Sequence, residues 1–383
     1  MTENKKILLF TDWYEPGYKA GGIIQSCKNL VSLLRDEYDF YIVCSDRDLG
    51  ENQPYADIAV DRWVEKNPRL HVWYASPSSL NHRNLTRLIQ ELNPGIVYFN
   101  SMYSAVFTLR PLWILIRAKF SGRIILAPRG MLHRGALEKK FLKKTLFLKI
   151  FRYAGWYKKI TFQATDPQEQ KDVHYFFTAE AKVVLAKDTP GFPSVNWIGR
   201  EKEQGQLDCV FISRIHPKKN LHYFLERLRE TNQVQALRFD IYGAEEDADY
   251  GRQCRKLASA LPGYARVRFM GALPYEAVRD TLRRYHLFIL PTLGENFGHA
   301  IFESLSVGTP VLISDQTPWR GLATKKAGWD IPLQQPESFV RVIEQVSAMD
   351  QETYRHWSYN AWEYAKKYMD QADLTKEYQQ LFG

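Results

Sequence analysis

Short runs of apolar, β-branched and aromatic residues alternate along the chain with longer segments whose apolar positions recur every three or four residues. The first run covers 6–10, a helical segment spans about 22–35, and the next run covers 38–44. Further runs follow at 71–75, 95–99, 123–127, 159–164 and 182–186, separated by segments of helical length around 84–92, 104–118, 138–155 and 166–177. Runs that are apolar throughout, each followed by a helix, predict parallel strands buried on both faces.

Between 188 and 206 the alternation stops. Pro190, Gly191, Pro193, Gly199 and Gly205 break the chain there, with charged residues clustered at 200–203. The same grammar restarts with runs at 208–213, 239–242, 267–270, 286–290 and 310–314, interleaved with helices from Asn220, near 250–260, from Pro274 and from His299. After Pro336 only helical segments remain, the last two at 351–367 and 371–382 and rich in Trp, Tyr and Phe. The prediction is an α/β chain of two doubly wound, Rossmann-like domains: residues 1–190, a linker at 191–206, and residues 207–367. Open parallel sheets bind ligands outside the carboxyl ends of their strands, so function is expected in the βα loops facing a cleft between the domains.

Composition adds limits. A length of 383 residues exceeds what one core usually serves, in keeping with two domains. Cys27, Cys44, Cys209 and Cys254 lie far apart with no CxxC pair, which predicts neither a disulfide framework nor a zinc site and suits a reducing compartment. The apolar run at 7–10 is too short for a signal peptide and none reaches transmembrane length, so a soluble or peripheral protein is expected. The net charge of +9 favours anionic partners such as nucleotides, phosphates, nucleic acid or an acidic membrane face. No zinc finger, recognition-helix pattern or aromatic RNP motif is found, and nucleic acid is not expected as a partner.

Three loops carry candidate chemistry. The first βα loop ends in Gly21-Gly22, where missing side chains permit close backbone approach and a helix N-terminus favours anions. A plain tight turn is the alternative there. Ser213-Arg214 through Lys219-Asn220 follows the first strand of the second half. Arg214 and Lys219 suit a diphosphate clamp, against the alternative of a solvated basic turn. The third loop, 291–298, leads into a helix, with Glu295, Asn296, Phe297 and Gly298 before it and Glu303 eight residues beyond Glu295. A carboxylate such as Glu303 accepts two hydrogen bonds from a vicinal diol, which suits a sugar.

Taken in order, Gly21-Gly22, Ser213-Arg214 with Lys219-Asn220, Glu295 to Glu303 with seven residues between, and Gly308-Thr309-Pro310 resemble the retaining glycosyltransferases of family 4, which have the GT-B fold. Residues 127–132 and 164–169 resemble the bacterial polysaccharide-assembly members. The resemblance implies a nucleotide-sugar donor, UDP- or GDP-linked, on the C-terminal domain and a glycan or lipid-linked saccharide acceptor on the N-terminal one, which a C-terminal helix at about 368–383 completes. It implies a hexose transferred with retention, in surface polysaccharide biosynthesis, with no cofactor and no metal. Arg214 and Lys219 would hold and stabilise the departing diphosphate, Glu303 the ribose, and Glu295 the donor sugar, with Asn296, Phe297 and Gly298 presenting amides and Gly21-Gly22 beside the phosphates or acceptor. Family members often carry a histidine before the acceptor loop, whereas here the chain reads Pro128-Arg129-Gly130. Arg129 or His133 is the candidate replacement, His133 as a polar loop residue being the alternative, and His299 is a further candidate beside the donor loop.

Residues 138–159 combine basic residues with an apolar stripe, the pattern of a helix that lies on an anionic bilayer, or of one that packs on a sheet with its lysines solvated. The expected location is cytoplasmic, at the cytoplasmic face of the inner membrane if that helix docks. Two other readings remain: a sugar-nucleotide-binding subunit without catalysis, and another GT-B enzyme such as a nucleotide-sugar epimerase or a phosphorylase.

Overall fold

The computed structural model describes residues 5–133, 141–191, 196–371 and 373–383. The chain divides into two compact units, residues 1–189 with 373–383 and residues 190–372.

The first unit holds β1 (Lys6–Phe10), β2 (Asp39–Ser45), β3 (Trp63–Asn67), β4 (Leu70–Ala75), β5 (Ile96–Phe99), β6 (Arg123–Leu126), β7 (Thr161–Ala164) and β8 (Lys182–Leu185). Its sheet runs β3-β4-β2-β1-β5-β6-β7-β8, parallel except for the antiparallel β3–β4 edge. The edge strand β3 carries Glu65, Lys66 and Asn67 on an exposed ribbon, so it lacks the continuous apolar run by which the buried strands are read. Helix Gly22–Leu34 covers one face through Ile24, Cys27, Leu30, Val31 and Leu34, and helix His82–Leu92 the other through Leu85, Leu88, Ile89 and Leu92.

The second unit holds β9 (Gln206–Ile212), β10 (Ala236–Tyr242), β11 (Ala265–Gly271), β12 (Leu287–Leu290), β13 (Val311–Ser314) and β14 (Gly328–Ile331). They form one parallel sheet in the order β11-β10-β9-β12-β13-β14. Strand β14 was not expected, because Gly328-Trp329-Asp330-Ile331 is short, opens on glycine and carries a charge.

Residues 190–206 group with the second unit rather than standing apart, although 192–195 lie outside the described residues. Buried Lys202 donates to the carbonyls of Glu203 (2.7 Å), Ser347 (2.9 Å) and Met349 (3.3 Å), and so fastens this stretch. Of the two C-terminal helices, Gln351–Gln371 groups with the second unit and only Leu374–Phe382 with the first. Tyr378, Leu381 and Phe382 are buried in the core of the first unit. The four cysteines are buried free thiols. No helix among the described residues is long and apolar enough to cross a membrane.

Candidate functional site

Strand order locates the candidate sites before any side chain is considered. In the second unit the chain builds β9, β10 and β11 to one side, then returns across β9 to build β12, β13 and β14. The direction reverses between β9 and β12, and at such a point the two neighbouring loops part and leave a crevice at the carboxyl ends of the strands. The loops there are 213–220 and 291–298.

They are joined by main chain and side chain. The Lys218 carbonyl accepts from Leu293 N at 2.8 Å and from Thr292 Oγ1 at 3.1 Å. Lys219 Nζ reaches Glu295 Oε1 at 2.6 Å, with 13% and 12% of the two side chains exposed. Burial alone would raise the Glu295 carboxyl, but the ammonium of Lys219, that of Lys218 and a Thr292 hydrogen bond hold it below its ordinary value. Glu295 N donates to Gln316 O at 2.9 Å, which ties this loop to the one after β13.

Arg214 leaves the same strand end but pairs elsewhere, Nη1 to Glu246 Oε2 at 2.8 Å, about a third exposed on both sides. Its backbone lies against Gly243, where a Cβ would collide with the Ser213 carbonyl oxygen. Gly243 and Glu246 escape sequence reading because their partners lie some thirty residues away. A glycine directly after a strand was the available signal.

Gly298 takes φ +80°, a conformation that favours glycine, and leads into helix His299–Ser306. Phe297 is buried and its carbonyl accepts from Trp319 Nε1 at 2.6 Å, the indole meeting the Phe297 ring edge-on at 5.3 Å. Trp319 thus fixes the loop that carries Glu295 and Asn296. His299 lies against Phe297 with ring centroids 4.9 Å apart.

Glu303 stands about one turn into helix His299–Ser306, because 295–298 is loop. It is buried, hydrogen-bonded to Tyr275 and close to Arg279, both on helix Tyr275–Leu282. Burial raises its carboxyl to about 7 against the pull of that arginine and that hydroxyl. The structure therefore brings Lys219 and Glu295 together and gives Arg214 and Glu303 partners of their own.

In the first unit Gly21 has φ +63° and precedes helix Gly22–Leu34, with open space where a Cβ would stand. Its loop is anchored by Asp48, whose Oδ2 accepts from Tyr18 N (2.8 Å) and Lys19 N (3.1 Å). Arg129 is 7% exposed and its guanidinium is fully engaged: Nε to Asn100 Oδ1 at 2.8 Å, Nη2 to Tyr98 Oη at 2.8 Å, and Nη1 to Asp188. That arrangement joins the end of β5 to the segment after β8 and gives all three guanidinium nitrogens of Arg129 a partner within the first unit. His133 pairs with Asp172, which also accepts from Gln168 Nε2 at 3.0 Å. The 128–133 turn is held from below by buried Glu169, which accepts from Gly130 N (2.6 Å), Thr165 N (2.8 Å) and Thr165 Oγ1 (2.8 Å).

Residues 198–364 match the family described as glycosyl transferases, group 1. The matched residues fall inside the second unit and include both loops at its strand-order reversal. Comparison with curated protein sequences returns no significant match. Among solved structures the GT-B chain is similar to sucrose-phosphate synthase from Thermosynechococcus elongatus (TM-score 0.68, 15% identity, 99% of this chain and 98% of that one). It is also similar to HepE from Anabaena in complex with UDP and glucose (TM-score 0.68, 13% identity, 98% of each chain). WaaG, a glycosyltransferase involved in lipopolysaccharide biosynthesis, matches at TM-score 0.64 and 13% identity over 98% of each chain. At these identities the likeness establishes the GT-B fold, two parallel-sheet Rossmann-like units.

Proposed function

We propose that this GT-B protein is a retaining, metal-independent glycosyltransferase that moves a hexose from a UDP- or GDP-sugar to a lipid-linked glycan of a surface polysaccharide. The observation that carries the reading is the Lys219–Glu295 pair at the strand-order reversal of the second unit, inside the residues that match group 1 glycosyl transferases. An ammonium there, with the Arg214 guanidinium from the same strand end, offers compensation for the charge that grows on a departing diphosphate. The acceptor oxygen bonds to the anomeric carbon as the bond from that carbon to the diphosphate oxygen breaks; the electron pair leaves with the diphosphate, and the acceptor hydroxyl's proton passes to the departing phosphate oxygen on the same face. Glu295, kept ionised by Lys219, accepts hydrogen bonds from the donor sugar, and Glu303 accepts them from the ribose. The UDP-glucose complex of HepE supports a uridine donor.

Helix Phe141–Tyr153 supports the lipid-linked acceptor. Leu148 and Phe151 pack inward, while Leu146, Ile150 and Tyr153 are 60%, 56% and 97% exposed on one face beside Lys149 and Arg152. Exposed apolar side chains among lysines and arginines are what an anionic bilayer surface takes up. Residues 138–140 of the basic segment lie outside the described residues.

The test is a thermal-shift screen against UDP, GDP, ADP and their common sugar conjugates, with and without EDTA, followed by donor turnover. A base-selective rise in Tm that survives EDTA and is lost in Lys219→Ala is expected. A folded protein that shifts with no nucleotide overturns the reading.

A further inference from the structure

The first unit has a strand-order reversal of its own, and the reading above leaves its residues unused. The chain builds β1, β2 and then β4 to one side, and returns across β1 to build β5 to β8 on the other, so the reversal lies between β1 and β5. A crevice at the carboxyl ends is expected there for the same topological reason as in the second unit.

The residues that leave these two strand ends meet. Asp12 follows β1 directly after Thr11, and its backbone is fixed by the bonds Thr11 N to Val43 O and Ser45 N to Asp12 O, both 3.1 Å. From the loop after β5, Ser104 Oγ donates to Asp12 Oδ1 at 2.7 Å, and Ser101 adds a second hydroxyl contact. The Ser101 carbonyl in turn accepts from Thr108 Oγ1 at 2.8 Å, which ties down the far end of that loop. Tyr103, between the two serines, has a buried hydroxyl with no hydrogen-bond partner among the described residues. No cation among the described residues lies within ion-pair distance of Asp12, in contrast to Glu295 with its lysine.

A half-buried carboxylate among neutral hydroxyls suits a neutral polyol rather than a phosphate. Anions would be repelled, whereas a carboxylate, with about four acceptor positions, has room for more hydrogen bonds than the two serines and the Asp12 amide supply. We propose that Asp12, positioned by Ser104 and Ser101, binds hydroxyl groups of the saccharide acceptor in the first unit. This rests on the glycosyl-transfer reading for the word acceptor, while the binding itself does not. The carboxyl is raised from its ordinary value by burial, against the hydrogen bond from Ser104, as befits a charge without a cation.

The experiment is saturation-transfer NMR on the full chain with free glucose, galactose, mannose, rhamnose and N-acetylglucosamine, each offered singly. At least one sugar is expected to saturate on the wild type. Its affinity is expected to fall about tenfold or more in Asp12→Ala, and less in Asp12→Asn and Ser104→Ala, with UDP binding unchanged. Sugar binding within twofold of wild type in folded Asp12→Ala, or no sugar bound by the wild type, overturns the assignment. If Asp12→Ala does not fold, the near-isosteric Asp12→Asn decides by the same readout. The outcomes also separate the two readings. Sugar bound through Asp12 by a protein that takes no nucleotide sugar keeps this assignment and removes the transfer reading. Donor turnover with sugar binding indifferent to residues 12 and 104 does the reverse.

Discussion

Lys219 and Glu295 lie 2.6 Å apart with little of either side chain in water, so each is the other's main compensation for lost hydration. Removing one partner leaves an uncompensated charge, and Lys219→Ala is expected to destabilise by up to about 3 kcal/mol in urea titration. The neutral double variant Lys219→Met with Glu295→Leu should recover most of that loss, because an apolar pair needs no compensation. Turnover should not recover with it, and a double variant that regained activity would remove both residues from the chemistry. Glu295→Gln should lower turnover while leaving nucleotide binding in place.

Glu303 makes a pH prediction. Its carboxyl is raised by burial to about 7 in the free protein, whereas a ribose diol is best held by the ionised form. Binding at low pH must first expel the proton, so UDP is expected to bind about tenfold more weakly at pH 6 than at pH 8 by calorimetry. In Glu303→Gln that difference should shrink to whatever the phosphates themselves contribute. For stability, a folded pKa raised above the ordinary 4.5 means a contribution fully present below 4.5 and lost as pH climbs through about 7. Glu303→Gln should therefore melt with less pH dependence over that window than the wild type.

At the scale of elements, helix Phe141–Tyr153 has inner and outer faces that answer to different partners. Leu148 and Phe151 belong to the core, and changing them tests folding rather than docking. Leu146 and Ile150 are exposed, so Leu146→Glu with Ile150→Glu should leave Tm nearly unchanged. Sedimentation with phosphatidylglycerol vesicles should fall several-fold, and unchanged sedimentation would confine the helix to a structural role. The sequence marks this helix as basic and apolar but gives no hint which apolar residues remain outside once the sheet is covered. The elements that the sequence hides share a cause. Strand β3 is a polar edge and β14 is four residues opening on glycine, and both owe their pairing to neighbours rather than to their own pattern. Site residues divide the same way. Lys219, Glu295 and Gly298 stand out by local spacing, whereas Gly243, Glu246, Trp319 and Tyr275 matter through non-local contacts that no spacing reveals.

At the scale of the whole molecule, the chain leaves the first unit at residue 189 and contributes to it again only at 373–383. That last segment is an integral part of the core. Tyr378 Oη donates to the Lys187 carbonyl at 2.9 Å and accepts from Gln163 Nε2 at 2.9 Å. Gln163 Oε1 accepts from Tyr98 Oη at 2.7 Å, and Tyr98 Oη accepts from Arg129. The Phe382 and Tyr98 rings stack 5.8 Å apart, and the Leu381 carbonyl accepts from Arg123 Nη1 at 3.0 Å. Ending the chain after residue 372 would uncover buried Gln163 and remove Tyr378, Leu381 and Phe382, each contributing about 1.5–3 kcal/mol of burial. The sum rivals the roughly 5–15 kcal/mol that holds a domain folded. Calorimetry on the truncated chain should therefore show the first unit melting early or not at all, while the second keeps its own transition and the UDP-dependent rise in Tm. Tyr378→Phe, which strips one hydroxyl from the network, should move only the first transition, by about 1–2 kcal/mol. If both transitions fell together in the truncated chain, the two units would share stability, and the last helix would support more than the sheet on which it packs.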